Sequence, residues 1–165
     1  MQLSRALVRR PSPNFAEGLT RAELGSPSVT LAKAQHERYC EELERCGVRV
    51  TSLSADGHYP DGTFVEDAAV VTPRGAVFTR PGAESRRGEV ASVREALLDL
   101  TPSRGTIEAP GTVDGGDVCA FNDRFLIGIS TRTNDEGARQ LAAILKRHGY
   151  ESTILDLRGL PELLH

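Results

Sequence analysis

Two adjacent carboxylates interrupt an otherwise apolar stretch near the middle of the chain. The segment Phe64-Val-Glu-Asp-Ala-Ala-Val-Val71 is predicted to be a buried strand, with Glu66 and Asp67 near its start. Successive strand residues point to opposite faces, so both acids face solvent only if they lie at the strand end. The alternation favours Asp67 as the acid that faces a site, although a solvated loop-to-strand junction stays open. Asp61 precedes them in a Pro-Asp-Gly turn.

A second acidic corner follows in the segment Gly111-Thr-Val-Asp-Gly-Gly-Asp117. Two glycines between Asp114 and Asp117 allow the backbone to approach another group closely, although a turn with two Asx caps would have the same residues. Acids therefore recur before two predicted strands. If equivalent strand ends converge, such acids form an anionic pocket, and a planar guanidinium is the cation that best matches carboxylates.

Arginines recur as well, each time just before a predicted helix. Arg80, Arg86 and Arg87 lie in one such segment, and Arg132 lies in the other. Helix starts favour anions, so two of these arginines could hold a ligand carboxylate. For Arg87 we expect an ordinary surface position.

Apolar spacing predicts the elements that must position these residues. Helices are predicted at Val29–Cys46, Arg87–Leu100 and Asn134–His148, the last with a capping box at Thr133 and Glu136. Gly47 and Gly149 mark helix ends. Two hairpins and three strands that follow the helices complete the pattern: Ala68–Val71 with Ala76–Thr79, Val118–Phe121 with Phe125–Ile129, and Val48–Leu53, Thr106–Glu108 and Ser152–Leu157.

The order of acid, hairpin, helix and strand repeats with an offset of about 50 residues between Asp67 and Asp117. Such a unit cannot bury its faces alone and needs neighbouring units. We therefore expect an α/β chain with a radial or stacked architecture, of which about three units are present. We expect residues 1–165 to form a single domain that is truncated at its C-terminal end.

The composition excludes several classes of protein. The 165 residues are 39% hydrophobic and 26% charged, with a formal net charge of −3, which is typical of one globular domain. No block of basic residues predicts nucleic-acid binding, and no apolar run predicts a membrane span or a signal peptide. We expect a cytoplasmic protein with reduced cysteines and no metal, because no set of side chains has metal-ligand spacing.

Four segments together resemble the dimethylarginine dimethylaminohydrolase family of guanidine-modifying penteins. The resemblance covers essentially the whole chain and rests on Asp61-x-x-Phe-Val-Glu-Asp67, Thr79-Arg-Pro-Gly-Ala-Glu-Ser-Arg-Arg-Gly-Glu89, Gly111-Thr-Val-Asp-Gly-Gly-Asp117 and Arg132-Thr-Asn134 with Glu136-Gly-Ala-Arg139 after it. It implies a five-bladed α/β propeller of ββαβ units. It also implies hydrolysis of Nω-methylated arginines to citrulline and a methylamine by a cysteine and a histidine, without a cofactor.

The resemblance implies roles for individual substrate-binding residues. Asp61 and Asp67 match the carboxylates that hold the guanidinium nitrogens, and Glu66 matches a neighbouring acid among the substrate contacts. Arg86 and Arg132 match the arginines that grip the substrate α-carboxylate.

The resemblance also implies catalytic and flap residues. Leu19 matches a residue of an N-terminal flap whose backbone meets the substrate α-amine. His165 matches the catalytic histidine, and Asp114 matches the acid that orients it, although some family members have a glutamate there. The nucleophilic cysteine would lie beyond His165, outside this sequence. Cys119 is a poor substitute, since we expect it to be buried in an apolar strand, where burial suppresses thiolate formation.

Two other functions fit the same residues. An arginine or agmatine deiminase would use the same chemistry with ammonia as the leaving group, and the segments above do not define the pocket around the methyl groups. A non-catalytic module that binds arginine-like cations would keep the acids and arginines without the thiol. In each case the partner is a small molecule, with neither nucleic acid nor membrane, and a homo-oligomer is possible.

Overall fold

The computed structural model describes residues 4–20 and 25–160 of the chain. The chain divides into two compact units, Met1–Val65 and Glu66–His165. Within the described ranges, no helix combines the length and apolar character that crossing a bilayer requires.

The first unit is built on one βαβ element. Strand β1 (Arg5–Arg9) pairs in parallel with β2 (Arg49–Leu53), and helix α1 (Val29–Arg45) connects them. The Leu31 N–H donates to the Ser28 hydroxyl at 3.3 Å at the helix start, and Gly47 follows the helix with a φ of 82°. Helix formation is therefore supported by a side-chain cap and by a left-handed glycine.

Apolar spacing predicts that α1 buries a face made of Leu31, Ala34, Tyr39, Leu43 and Cys46, and the observed packing differs from this prediction. Leu31 and Tyr39 on that face are 56% and 57% exposed. The half-buried residues of α1 are Val29, Ala32, His36, Cys40 and Leu43. Spacing of apolar residues locates the helix, but it does not identify the side that packs.

The second unit contains two copies of a ββαβ element. In repeat 1, β3 (Ala69–Thr72) and β4 (Gly75–Phe78) form an antiparallel hairpin, and β5 (Ser103–Thr106) returns parallel to β4 after helix α2 (Glu89–Leu98). In repeat 2, β6 (Val118–Phe121), β7 (Arg124–Ile129), α3 (Asp135–Arg147) and β8 (Glu151–Asp156) follow the same order and pairing. The repeat that the sequence predicts is confirmed.

One hydrophobic core joins the two repeats. Its members come from both sheets and from α3: Val70, Val77, Ile107, Val113, Phe125, Ile127, Ile129, Ala138, Leu141, Ile144, Leu145 and Tyr150. Each large apolar side chain stabilises the fold by about 1.5–3 kcal/mol when fully buried. The shared core fixes the loops before each hairpin and each helix, which carry the acids and arginines.

Four local predictions are wrong. The strand predicted at Thr106–Glu108 lies at Ser103–Thr106 instead. Residues Val65–Ala68 form a 3-10 turn before β3 rather than part of the strand. Helix α3 is capped by Asn134, whose side chain accepts the Gly137 N–H at 2.8 Å, and not by Thr133. Cys119 is exposed rather than buried, because the face of β6 that carries it is not covered by any described residue.

Candidate functional site

The turn at Val65–Ala68 separates the two acids that the strand prediction could not place. A 3-10 turn rotates each residue by about 120° rather than the 180° of a strand. Asp67 is 3% exposed, whereas the side chain of Glu66 lies on the surface. The structure therefore buries Asp67 and leaves Glu66 at the surface. Strand alternation favours this outcome, but a 3-10 turn rather than a strand produces it.

Asp67 is held by donors from two other loops. Its Oδ2 accepts from Nη1 of Arg86 at 2.6 Å, and its Oδ1 accepts the Gly116 N–H at 2.9 Å. Burial alone would raise the pKa of Asp67, but hydrogen bonds with Asp114, Arg86 and Gly116 together with the Arg86 charge lower it. Asp67 is thus a buried carboxylate that stays ionised.

The glycine pair of the second acidic corner packs against the turn that carries Asp67. A Cβ on Gly115 would lie 1.8 Å from the Glu66 carbonyl oxygen, far inside van der Waals contact. Only glycine leaves room for this approach, and the approach brings the Gly116 N–H to Asp67. The sequence predicts a close backbone approach here, and its partner is the turn of repeat 1.

Arg86 lies in a buried ion-pair cluster. Its Nε donates to both Glu89 carboxylate oxygens at 3.1 and 3.2 Å, and its Nη2 donates to Oε2 at 2.8 Å. Burial disfavours the charged guanidinium, but hydrogen bonds with Glu89 and Asp67 and their charges raise the pKa of Arg86 further. Sequence reasoning missed Glu89, although its position three residues after Arg86 at a helix start was a usable signal.

Asp114 is the most deeply buried acid of the cluster, at 1% exposure. Its backbone N–H donates to the Thr133 hydroxyl at 3.0 Å, but neither carboxylate oxygen has a hydrogen-bond partner of good geometry among the described residues. Burial, followed by the nearby Asp67 carboxylate, raises the pKa of Asp114 well above its usual range. The pKa values of Asp67 and Asp114 are thus shifted in opposite directions, which favours the proton on Asp114.

Asp117 occupies in repeat 2 the place that Asp67 occupies in repeat 1. Its Oδ2 accepts from the Ser130 and Thr133 hydroxyls at 2.7 Å each, and its Oδ1 accepts from Nη2 of Arg132 at 3.0 Å. The Arg132 side chain is 31% exposed. Arg132 thus keeps a solvent-facing part that Arg86, at 9%, does not have.

In the first unit, Asp61 and Leu19 contact each other. The Leu19 N–H donates to both carboxylate oxygens of Asp61 at 3.1 Å, and Asp61 is 8% exposed. A Cβ on Gly18 would lie 2.6 Å from Asp61 Oδ1, so this loop needs a glycine to reach the carboxylate. The Leu19 side chain is 64% exposed.

Other predicted residues have no described role in these clusters. His165 lies outside the described residues. Cys119 lines a pocket of about 700 Å³ in the second unit, together with Glu66, Asp117, Leu126 and Leu155 among others. Across the two described ranges, no group of three or more histidine, cysteine, aspartate or glutamate side chains is arranged to hold a metal ion.

The chain is similar to characterised proteins over most of its length. It is 45% identical over 158 residues to N(G),N(G)-dimethylarginine dimethylaminohydrolase of Pseudomonas aeruginosa, covering 95% of this chain and 62% of that protein. It is 44% identical over 150 residues to the protein of the same name from Streptomyces coelicolor, covering 90% of this chain and 58% of the relative. The chain therefore spans about three fifths of the length of these relatives. No protein-family model matches the chain.

A solved structure has the same fold. The Pseudomonas aeruginosa enzyme, as a Cys-to-Ser variant complexed with citrulline, superposes with a TM-score of 0.95 at 42% identity. The superposition covers 100% of this chain and 64% of that one. The described residues therefore have an α/β fold of this kind.

Proposed function

The chain belongs to the dimethylarginine dimethylaminohydrolase family, and on that premise we propose that it supplies the substrate-binding part of a hydrolase for Nω-methylated arginines. The products are citrulline and dimethylamine or methylamine. The ββαβ repeats are blades of the pentein propeller, and the nucleophilic cysteine lies outside this sequence. The protein acts in the cytoplasm, and self-association stays a prediction.

The buried, ionised carboxylate of Asp67 carries the proposal. Its oxygens accept hydrogen bonds from Arg86 and from the Gly116 N–H, Asp114 lies beside it, and a carboxylate has about four acceptor sites in all. A substrate guanidinium is planar and donates from parallel N–H groups, so it matches this remaining capacity. Asp61, in the first unit, is proposed to bind the guanidinium too, with Glu66 as a neighbouring acid.

These carboxylates contribute orientation to a difficult reaction. A guanidinium is a poor electrophile, and fixing its plane presents one face of its central carbon to the nucleophile. The cysteine thiolate attacks that carbon, the bond to the methylated nitrogen breaks, and the histidine donates a proton to the departing amine. Water, deprotonated by the same histidine, then releases the thiolate and forms citrulline.

Asp114 is suited to orient that histidine, proposed to be His165. Neither of its carboxylate oxygens has a described hydrogen-bond partner of good geometry, and burial, followed by the neighbouring Asp67, raises its pKa. An imidazolium beside Asp114 would supply a donor and a positive charge, and both would lower the pKa of Asp114 again. The two groups together would hold one proton for the leaving amine.

The remaining contacts serve the amino-acid end of the substrate. Arg132, with its partly exposed guanidinium, is proposed to bind the α-carboxylate. Arg86 is proposed to share this role, as the resemblance implies, while it also pairs with Asp67 and Glu89. Leu19 is proposed to meet the α-amine through its backbone carbonyl, since its N–H is engaged by Asp61.

Citrulline release by the full protein that contains this chain tests the proposal. We expect faster release from Nω,Nω-dimethyl-L-arginine than from L-arginine, and a loss of about 100-fold or more in kcat/KM for Asp67→Asn, equivalent to about 2.7 kcal/mol. The exposed Asp99 at the end of α2 provides the control Asp99→Asn, which should retain full activity. Faster release from L-arginine would instead indicate a deiminase, and no citrulline from either substrate would leave only a binding module.

A further inference from the structure

Thr133 carries a buried hydroxyl that lies between two parts of the proposed site. The residue is 0% exposed, and its Oγ1 contacts two different loops. It donates to Oδ2 of Asp117 at 2.7 Å and accepts the Asp114 N–H at 3.0 Å. The proposed chemistry assigns no role to Thr133. Its hydrogen bonds nevertheless join the acid proposed to orient the histidine to the acid that pairs with Arg132.

The neighbours of this hydroxyl fix its donor and acceptor roles. A carboxylate paired with an arginine accepts hydrogen bonds and a backbone N–H only donates, so the Thr133 proton points to Asp117 and a lone pair faces Asp114. The chain of hydrogen bonds continues from Asp117 to Nη2 of Arg132 at 3.0 Å. Each bond in such a chain polarises the next, and the restricted χ1 of a β-branched side chain holds the hydroxyl in place.

Asp114, Thr133 and Asp117 also close a ring of hydrogen bonds. The Asp117 N–H donates to the Asp114 carbonyl oxygen at 3.0 Å, so Thr133 and Asp117 hold the two backbone polar groups of Asp114. The Asp114 carboxylate itself has no described hydrogen-bond partner of good geometry. The position of that carboxylate therefore follows from its backbone, which the ring fixes.

We infer that Thr133 is a positioning residue, whose hydroxyl holds Asp114 at the histidine end of the substrate and Arg132 at the α-carboxylate end in a fixed relation. The inference rests on the proposed function, since that function assigns the histidine to Asp114 and the α-carboxylate to Arg132. Arg86 keeps its proposed share in binding the α-carboxylate. Loss of the Thr133 hydroxyl should therefore affect both turnover and substrate binding.

The experiment compares Thr133→Val with Thr72→Val in the full protein that contains this chain. Thr72 is also buried, and its hydroxyl likewise makes two hydrogen bonds, donating to the Gly75 carbonyl at 2.8 Å and accepting the Arg74 N–H at 3.1 Å. Both partners lie in the β3–β4 turn and neither belongs to the proposed site. Thermal melts of the two variants measure what each lost hydroxyl costs in stability alone.

Kinetics with Nω,Nω-dimethyl-L-arginine measure the effect on the reaction. We expect Thr133→Val to lower kcat and to raise KM, with a loss of about tenfold in kcat/KM, the effect of about one hydrogen bond. Because Ser130 still donates to Asp117, the change in KM should be the smaller of the two. Thr133→Ser keeps the hydroxyl and should retain most of kcat/KM, and Thr72→Val should leave both constants unchanged.

Two kinetic results would overturn the inference. Equal losses for Thr133→Val and Thr72→Val would attribute the effect to stability, and wild-type constants for Thr133→Val would leave Thr133 without a positioning role. If Thr133→Val does not fold, Thr133→Ala removes the hydroxyl without placing a methyl group against the Asp117 carboxylate. The same changes in kcat and KM are then expected for Thr133→Ala.

Product binding tests the α-carboxylate end independently of turnover. Calorimetry compares L-citrulline with N-carbamoylputrescine, which lacks the α-carboxylate. We expect Thr133→Val to weaken L-citrulline about threefold and to leave N-carbamoylputrescine unchanged, since only the former uses Arg132. An equal loss for the two ligands would contradict the inference.

The two measurements separate the inference from the proposed function. If the wild-type protein binds L-citrulline but releases none from methylated arginine, the proposed hydrolysis fails. A selective loss of L-citrulline binding in Thr133→Val would still support the positioning of Arg132 by Thr133 in that case. Absence of L-citrulline binding by the wild-type protein would overturn both.

Discussion

The two repeats hold equivalent acids in different ways. In each, an acid on a 3-10 turn before the hairpin pairs with an arginine just before the helix, Asp67 with Arg86 and Asp117 with Arg132. Repeat 1 adds a second carboxylate from Glu89. In repeat 2, hydroxyls rather than a carboxylate complete the set, and the arginine stays partly exposed.

This difference gives the two arginines different surroundings on one scaffold. The Asp117 carboxylate also accepts from two neutral hydroxyls, and its partner Arg132 stays partly exposed. Arg86 pairs with two acids and is buried. On the proposed function, the duplicated element would thus provide a partly exposed cation in one repeat and a substrate-binding carboxylate in the other.

The largest expected difference in stability between the two repeats follows from replacing the arginine of each. Arg86→Met leaves two buried carboxylates without a counter-charge, and we expect a loss of about 3–5 kcal/mol in the free energy of unfolding. Arg132→Met leaves the Asp117 side chain, which is 6% exposed, with two hydroxyl donors, and we expect a smaller loss of about 1–3 kcal/mol. Urea unfolding of the two variants measures the difference, and equal losses would contradict the distinction between the repeats.

The next largest effect on stability is expected where Gly115 packs against the Val65–Ala68 turn. Gly115→Ala forces a methyl group against the Glu66 carbonyl, and we expect a loss of about 1–3 kcal/mol, or more if the turns cannot shift. Gly159→Ala is the control, since no atom lies within 4 Å of its added Cβ. Equal melting temperatures for the two variants would show that the turns separate without cost.

The smallest expected effect on stability concerns the N-terminal caps of helices α2 and α3. Asn134 caps α3 of repeat 2 with its side chain, whereas α2 of repeat 1 begins after Gly88 without a side-chain cap. We expect Asn134→Ala to lower the free energy of unfolding by about 1 kcal/mol. Glu136→Gln, which alters the acid of the predicted capping box, should change it by less than about 0.5 kcal/mol. A larger loss of stability for Glu136→Gln than for Asn134→Ala would instead support the predicted capping box of Thr133 and Glu136.

Local patterns predict the repeat and most of its elements. The hairpins, the face of α3 and the glycines after α1 and α3 are predictable because each depends on residues a few positions apart. The sequence also singles out Asp67, Asp114, Arg86 and Arg132. Their assigned roles toward substrate stay predictions, but all four lie in the charged clusters of the second unit.

The errors share one physical cause, which is the environment that distant residues provide. The turn at Val65–Ala68 resembles a strand because its apolar residues suit both, and Gly115 packs on it from about 50 positions away. Alternation places Cys119 on one face of β6 but cannot say whether that face is covered. Glu89 escapes notice in the sequence because its meaning depends on the burial of Arg86.

The sequence by itself determined the repeated order of elements and the recurrence of an acid and an arginine in each repeat, because these follow from local spacing. Only the tertiary structure decided which acid each arginine contacts and which acids are ionised. The pKa of Asp67 is lowered and that of Asp114 is raised, although the two aspartates are neighbours in one buried cluster. Ionisation depends on burial and on neighbouring charges, and residues 19 to 49 positions apart provide both here.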